Sequence, residues 1–195
     1  MAVKQGRRGE ILAAAGMLFA EKGVVATTVR EIADEVGILS GSLYHHFASK
    51  DEILDAIIMA YLDDIAAKYS RVAGEAGNAE EQLRSLIRAT LESAFGHPAA
   101  SEIYQNNNRY LRSSAQWPEM NRIAGQIRQT WLDTLTRGRE EGVFRNDIPV
   151  QVSFRLMRDG LWLSMRWFRP ADGFGLEEFI ESASAMFLEG LTTKD

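Results

Sequence analysis

The sequence predicts an all-α fold of about nine helices. Three observations predict it. Apolar residues recur at three- and four-residue spacing along nearly the whole chain. The segments between those stretches are short and carry Gly, Pro or Asn. No alternating apolar–polar run is long enough to read as a strand. With 195 residues, 46% hydrophobic and 25% charged, the chain can hold one large or two small domains and bury a core.

The helices follow in order. Ile11, Ala15, Leu18 and Phe19 mark the inner face of the first, which ends at Gly23. A short helix starts from Thr28, with Val29, Ile32, Ala33 and Val36 inward and Gly37 as its stop. Another runs from Ser40 through SGSLYHHF. Ser49 opens a longer helix with the stripe Ile53, Leu54, Ile57, Ile58, Tyr61, Leu62 and Ile65. Thr28 with Glu31 and Ser49 with Glu52 have the hydroxyl-to-glutamate spacing of capping boxes. Gly74–Asn78 is a loop where the composition changes. Further helices are expected near Glu80–Phe95, Ala99–Arg112, Glu119–Glu141, Val150–Arg169 and Leu176–Leu191. The loops between them lie around His97-Pro98, Trp117-Pro118, Asn146–Pro149 and Pro170–Gly175.

Composition excludes several classes. No run of about eighteen apolar residues exists, so no membrane partner is expected. The opening MAVKQGRRGEIL has no apolar core of a secretion signal, and the chain has no cysteine. Disulfides, thiol catalysis and cysteine-based zinc sites are ruled out, and a cytoplasmic protein is the expectation. Net charge is −5, unevenly spread: residues 1–50 hold six Lys/Arg against five acids, a net +1, so the rest carries −6. A slightly positive head on an acidic body suits a small DNA-contacting end with a few placed contacts.

The stretch VGILSGSLYHHFASKDEI carries that reading further. Helix, turn at Gly37 and second short helix are the layout of a helix-turn-helix, whose second helix lies in the major groove. A helix enters a groove only if its leading turn is slim, and Ser40, Gly41 and Ser42 are slim. Their hydroxyls and backbone N–H groups can donate to phosphate or base oxygens. Leu43 and Phe47 turn inward, leaving Tyr44 and His45 outward with hydrogen-bonding tips. Lys50 supplies a cation beside the DNA backbone, and Thr27, Thr28 and Arg30 sit where the first helix of the motif crosses a phosphate strand. The plainer reading makes Ser-Gly-Ser a loop and Tyr-His-His a half-exposed face. His45 and His46 do not make a metal pair, because neighbours on a helix point about 100° apart. No metal, no cofactor and no catalytic residue is expected.

The run ATTVREIADEVGILSGSLYHHFASKDEIL resembles the DNA-binding head of the Tet repressor (TetR) family, over roughly residues 7–60. The resemblance implies a helix-turn-helix domain over 1–48 and a helical ligand-binding and dimerisation domain over 49–195. It further implies a homodimer on a palindromic double-stranded DNA operator, released by a small-molecule inducer. The dimer is then expected from the last two helices as a four-helix bundle, with Phe179, Ile180, Ala183, Phe187 and Leu191 as the seam of the second.

In FRLMRDGLWLSMRWFRP, an unbroken helix puts Arg155, Arg158, Trp162, Arg166 and Arg169 on one narrow strip. Phe154, Met157, Leu161, Met165 and Phe168 fall on a second arc, and Val152, Leu156, Leu163 and Trp167 on a third. A solvated face would account for the arginines alone. Guanidiniums around an indole are instead what a phosphate-bearing, partly planar ligand asks for. GSLYHHFASKDE, EIYQ, EEGVFRNDI and MRDGLWLSMRWFRP resemble one branch of the same family. That branch represses genes of late sterol-ring (cholesterol rings C and D) degradation and responds to a CoA thioester. The resemblance implies ligand roles for Arg158, Trp162 and Arg166 and an acyl-CoA inducer. Tyr104, Tyr110 and Trp131 are large side chains on inward faces, of which Tyr104 and Trp131 are the further ligand candidates. Asn106-Asn107-Asn108 departs from the acids usual there in the branch. The alternatives are a TetR-type regulator of efflux or fatty-acid genes with an apolar inducer, and an enzyme acting on acyl-CoA esters. The second lacks a G-x-S-x-G elbow or a nucleophile beside a base.

Overall fold

The computed structural model describes residues 2–170 and 173–192; Ala171 and Asp172 of the expected Pro170–Gly175 loop lie outside them. The all-α class is borne out. Among the described residues the elements are α1 (Ala2–Lys22), α2 (Val29–Val36), α3 (Ser40–Leu43), α4 (Lys50–Gly74) and α5 (Ala79–Gly96). They continue with α6 (Pro98–Asn106), α7 (Asn108–Leu111), α8 (Trp117–Glu140), α9 (Val150–Leu163), a 3-10 turn (Ser164–Arg166) and α10 (Leu176–Leu191). The only β-type pairing among the described residues is an isolated antiparallel bridge between Phe144 and Thr192.

The chain forms two compact units, one of residues 1–62 with 97–121, the other of 63–96 with 122–195. The expected boundary between 48 and 49 falls inside the first unit. The reason is packing: Ile53, Leu54, Ile58 and Tyr61 of α4 are buried, as are Leu43 and Phe47. Segment 97–121 joins that unit through α6, which packs on α1. The approach is close at Gly16, where an added Cβ would make ordinary contact with Ala99 Cβ at 3.5 Å. Tyr61 packs on His97 and edge-on to Tyr104. Two hydrogen bonds tie the segment to α4: Tyr110 Oη donates to Asp51 at 2.7 Å and Ser114 Oγ to Asp55 at 2.6 Å. The Asp51 carboxylate pushes the Tyr110 phenol up to about 12.

In the second unit α5 packs on both α9 and α10. Leu83, Leu86, Ile87 and Leu91 of α5 are buried, with Met157, Leu161, Ile180 and Leu188 from the other two. Phe168 stacks on Phe179 at 4.2 Å between centroids, with Phe95 edge-on to both. A polar relay runs through this interior. Trp131 Nε1 donates to Tyr69 Oη (2.7 Å), Tyr69 lies 2.5 Å from Thr90 Oγ1, and Thr90 donates to the Leu86 carbonyl (2.7 Å). Each donor finds an acceptor, the condition for polar groups to be buried cheaply. At the α4–α5 contact Lys68 and Ser93 both donate to Asp64.

Several elements differ from the sequence reading. The single helix expected over Ala99–Arg112 is two, broken at Asn107. There the Asn107 side-chain amide and backbone N–H both donate to the Ile103 carbonyl, so the side chain competes with the helix it ends. Pro98 and Trp117-Pro118, expected in loops, begin α6 and α8; proline's fixed φ and missing donor suit a first turn. The helix expected over Val150–Arg169 ends at Leu163. Ser164 Oγ donates back to Leu161 O at 2.5 Å, and the next turn tightens to 3-10. The expected α10 seam is also corrected. Phe179, Ile180, Ala183 and Leu191 are buried within this chain, and Phe187 covers Gly160. Along α9 and the turn after it, Val152, Leu156, Leu163 and Trp167, the third arc expected from the sequence, are exposed, as is Met186 on α10.

Candidate functional site

The helix-turn-helix is built by local rules. Thr28 caps α2: its hydroxyl accepts from Glu31 N, and the Glu31 carboxylate accepts from Thr28 N at 2.8 Å. That bond, with Lys22 and the Thr28 hydroxyl, holds Glu31 down to about 2. Gly37 ends α2 in the left-handed region at φ 70°, where a side chain would be strained. Its N–H and that of Ile38 close on the carbonyls of Asp34 and Ala33. The chain then turns through Leu39 into α3. Leu43 and Phe47 are fully buried beneath this helix, each worth about 1.5–3 kcal/mol of burial.

Only Ser40–Leu43 is α-helical; residues 44–46 continue as tighter turns, with His45 and His46 N–H bonded three residues back. Glycine between two serines has low helix propensity, which explains the short α run. Gly41 is exposed and a Cβ there would meet nothing within 4 Å. Ser40 and Ser42 are half-exposed, Tyr44 and His45 exposed. Arg30 is exposed, reaching Asp34 at 3.8 Å.

Three expected contacts are placed differently. Thr27 is corrected: it is 1% exposed and its hydroxyl donates to the carbonyls of Leu18 and Gly23, so it belongs to the core. Thr28 is exposed, but its hydroxyl is engaged with Glu31. Lys50 Nζ donates to Val24 O (2.6 Å) and Thr27 O (2.7 Å), clamping the start of α4 to the α1–α2 turn with two of its three protons. Ser49 Oγ accepts from Glu52 N as expected, while Glu52 reaches Ala48 N instead of Ser49 N.

Sequence reasoning missed Arg8. Its guanidinium lies 3.9 Å from the centroid of Phe47 and donates to His46 O at 2.7 Å. Arg7 reaches Val36 O at 3.4 Å. The signal was present as two adjacent arginines on α1, one turn before Ile11.

The ligand candidates divide between the units. Tyr104 is in the first, buried, with its phenol pushed up by burial. Trp131, Arg158, Trp162 and Arg166 are in the second. Trp131 is 2% exposed and held by Tyr69. Arg158 and Trp162 are half-exposed on α9, and Arg166 is exposed at the end of the 3-10 turn. Arg158 pairs with neighbouring Asp159 (Nε 2.8 Å) and lies 5.6 Å from the Phe154 ring centroid. Because the α-helical phase stops at Leu163, Arg166 and Arg169 leave the continuous strip. Arg169 turns back onto the carbonyls of Met165 and Phe168. Among the described residues no group of three or more His, Asp or Glu is placed to hold a metal, and no helix is long and apolar enough to cross a membrane.

Comparison with known proteins gives a consistent match. A family model described as bacterial regulatory proteins, tetR family, matches residues 11–57, and one for a tetracyclin repressor-like C-terminal domain matches residues 76–191. The HTH-type transcriptional repressor KstR2 of Mycobacterium tuberculosis is 41% identical, over 95% of this chain and 93% of that one. The repressor of the same name from Rhodococcus jostii is 37% identical, over 97% and 93%. The structure of the ketosteroid transcriptional regulator KstR2 of Mycobacterium tuberculosis superposes with a TM-score of 0.91, covering 96% of each chain.

Proposed function

The chain belongs to the TetR family of bacterial transcriptional regulators, and on that premise we propose that it is a repressor that leaves its operator when it binds a CoA thioester of a sterol-degradation intermediate. The repressor reading rests on the groove-entering turn Ser40–Ser42 and on likeness to proteins named as repressors. The steroid class rests on likeness to a protein named a ketosteroid regulator. The observation that carries the thioester is Arg158 and Trp162 together on α9, with Arg166 close by at the end of the 3-10 turn though off their strip: guanidiniums for phosphates and an indole for a flat group. It is a regulator rather than an enzyme in this reading, and its work on DNA places it in the cytoplasm.

Operator binding is by a homodimer, whose two heads occupy major grooves about one helical turn apart. The exposed Leu156, Leu163, Trp167 and Met186 supply the apolar contact between copies, since exposed apolar patches mark interaction surfaces. Helix α4 is uninterrupted from Lys50 to Gly74 and its residues belong to both units. A ligand that favours one position of its second half shifts the population of head positions by as much as its affinities for the two states differ.

The test is release of operator DNA in a gel-shift titration with the acyl-CoA, free CoA and the free acid. The thioester should release DNA at far lower concentration than either fragment, and Arg158→Ala with Arg166→Ala should cripple that response. Release by the free acid alone, unaffected by these substitutions, would favour an apolar inducer and overturn the thioester.

A further inference from the structure

Leu39 is the most exposed large apolar side chain among the described residues, at 82%. It stands at the N-cap of α3, with extended backbone (φ −70°, ψ 143°), its carbonyl accepting from Ser42 N and Leu43 N. N-caps favour Ser, Thr, Asp or Asn, whose side chains satisfy a free N–H of the first turn. Leucine does not, and α3 has no side-chain cap bond. Its exposure therefore serves neither helix nor core. Scattered exposed leucines are ordinary. This one differs by position: it leads the turn Ser40-Gly41-Ser42 and shares its motif with exposed Tyr44 and His45.

We infer that Leu39 is a specificity residue of the operator complex, packing its isobutyl group against the C5-methyl of a thymine in each half-site. The inference rests on the operator-binding reading above. In the major groove the base edges offer hydrogen-bond donors and acceptors, and thymine alone adds an apolar group. A leucine carried in by the leading turn has no polar atom to answer the other bases. It continues the surface that Ser40, Ser42, Tyr44 and His45 present, so the methyl contact supplements their hydrogen bonds.

The experiment uses the duplex that the full-length protein selects from a random pool. Each thymine is replaced in turn by deoxyuridine, which removes only the methyl, and affinities are measured for the wild type and Leu39→Ala. One symmetric pair of thymines should stand out: losing its methyl costs the wild type about fourfold per half-site, the value of one buried methyl, and costs Leu39→Ala nothing. A methyl dependence that persists undiminished in Leu39→Ala would overturn the inference, as would a wild type indifferent to every methyl, the result expected if Leu39 touched only deoxyribose carbons. As an independent readout, pool selection with Leu39→Ala should lose the thymine preference at that pair; an unchanged preference counts against it. A wild type that retains no duplex from the pool would instead sink the operator-binding reading, and this inference with it.

Discussion

The guanidinium of Arg8 lies 3.9 Å from the ring centroid of Phe47 and donates to the carbonyl of His46, so α1 holds the far end of the recognition turn. A cation over an aromatic face contributes about 0.5–1 kcal/mol at a half-exposed site, and a charged hydrogen bond somewhat more. Arg8→Ala should lower stability by about 1–2 kcal/mol in urea titration. Operator affinity should fall as well, because His45 and Tyr44 lose their support. Arg8→Lys should recover little, lacking the planar fork.

The capping box makes the head sensitive to acid. Glu31 titrates at about 2 in the folded chain against 4.5 ordinarily, so its contribution is complete above the ordinary value and lost as pH falls through the folded one. Melting temperatures of the wild type and Glu31→Gln should differ at neutral pH and converge between about pH 4.5 and pH 2. A gap that stays constant across that window would contradict the assignment.

The Trp131–Tyr69–Thr90 relay makes a separate prediction for the second unit. Tyr69→Phe removes the acceptor of a buried indole N–H, and such loss costs about 1–3 kcal/mol. The melt should shift down accordingly. An unchanged melt would mean that the relay contributes nothing.

In the proposed homodimer, the exposed arc on α9 and just past its 3-10 turn is the seam between copies. Leu156 and Trp167 are 64% and 67% exposed. Leu156→Asp should sediment as a monomer at micromolar concentration while keeping its helical circular dichroism. A dimer that survives both this change and Trp167→Asp would move the seam elsewhere.

Much of this was legible in the residues because local rules decided it. The Thr28–Glu31 spacing, the left-handed Gly37, and the pair Leu43 and Phe47 each have one physical solution, and the structure adopts it. The failures are of another kind. A helical wheel cannot show that Ser164 will spend its hydroxyl on Leu161 O and end the phase that aligned Arg166 with Arg158. Nor does an apolar stripe say which copy of the chain will cover it. Phe179 and Leu191 look like a seam between copies and are core, whereas Leu156 and Trp167, whose arc the wheel assigns to no partner, are exposed. Thr27 and Thr28 are adjacent hydroxyls, and only their placement against Leu18 and Glu31 separates a buried anchor from a cap.

Operator binding depends on the slimness of the leading turn, and Gly41 is the position where that slimness can be removed alone. A Cβ at Gly41 meets nothing within 4 Å and its backbone needs no positive φ, so Gly41→Leu should fold and melt like the wild type. The measurement is the affinity of Gly41→Leu and the wild type for the selected operator at matched salt. A side chain filling the space the groove needs should cost Gly41→Leu about tenfold in affinity or more, about 1.4 kcal/mol. Equal affinity of the two proteins would contradict it.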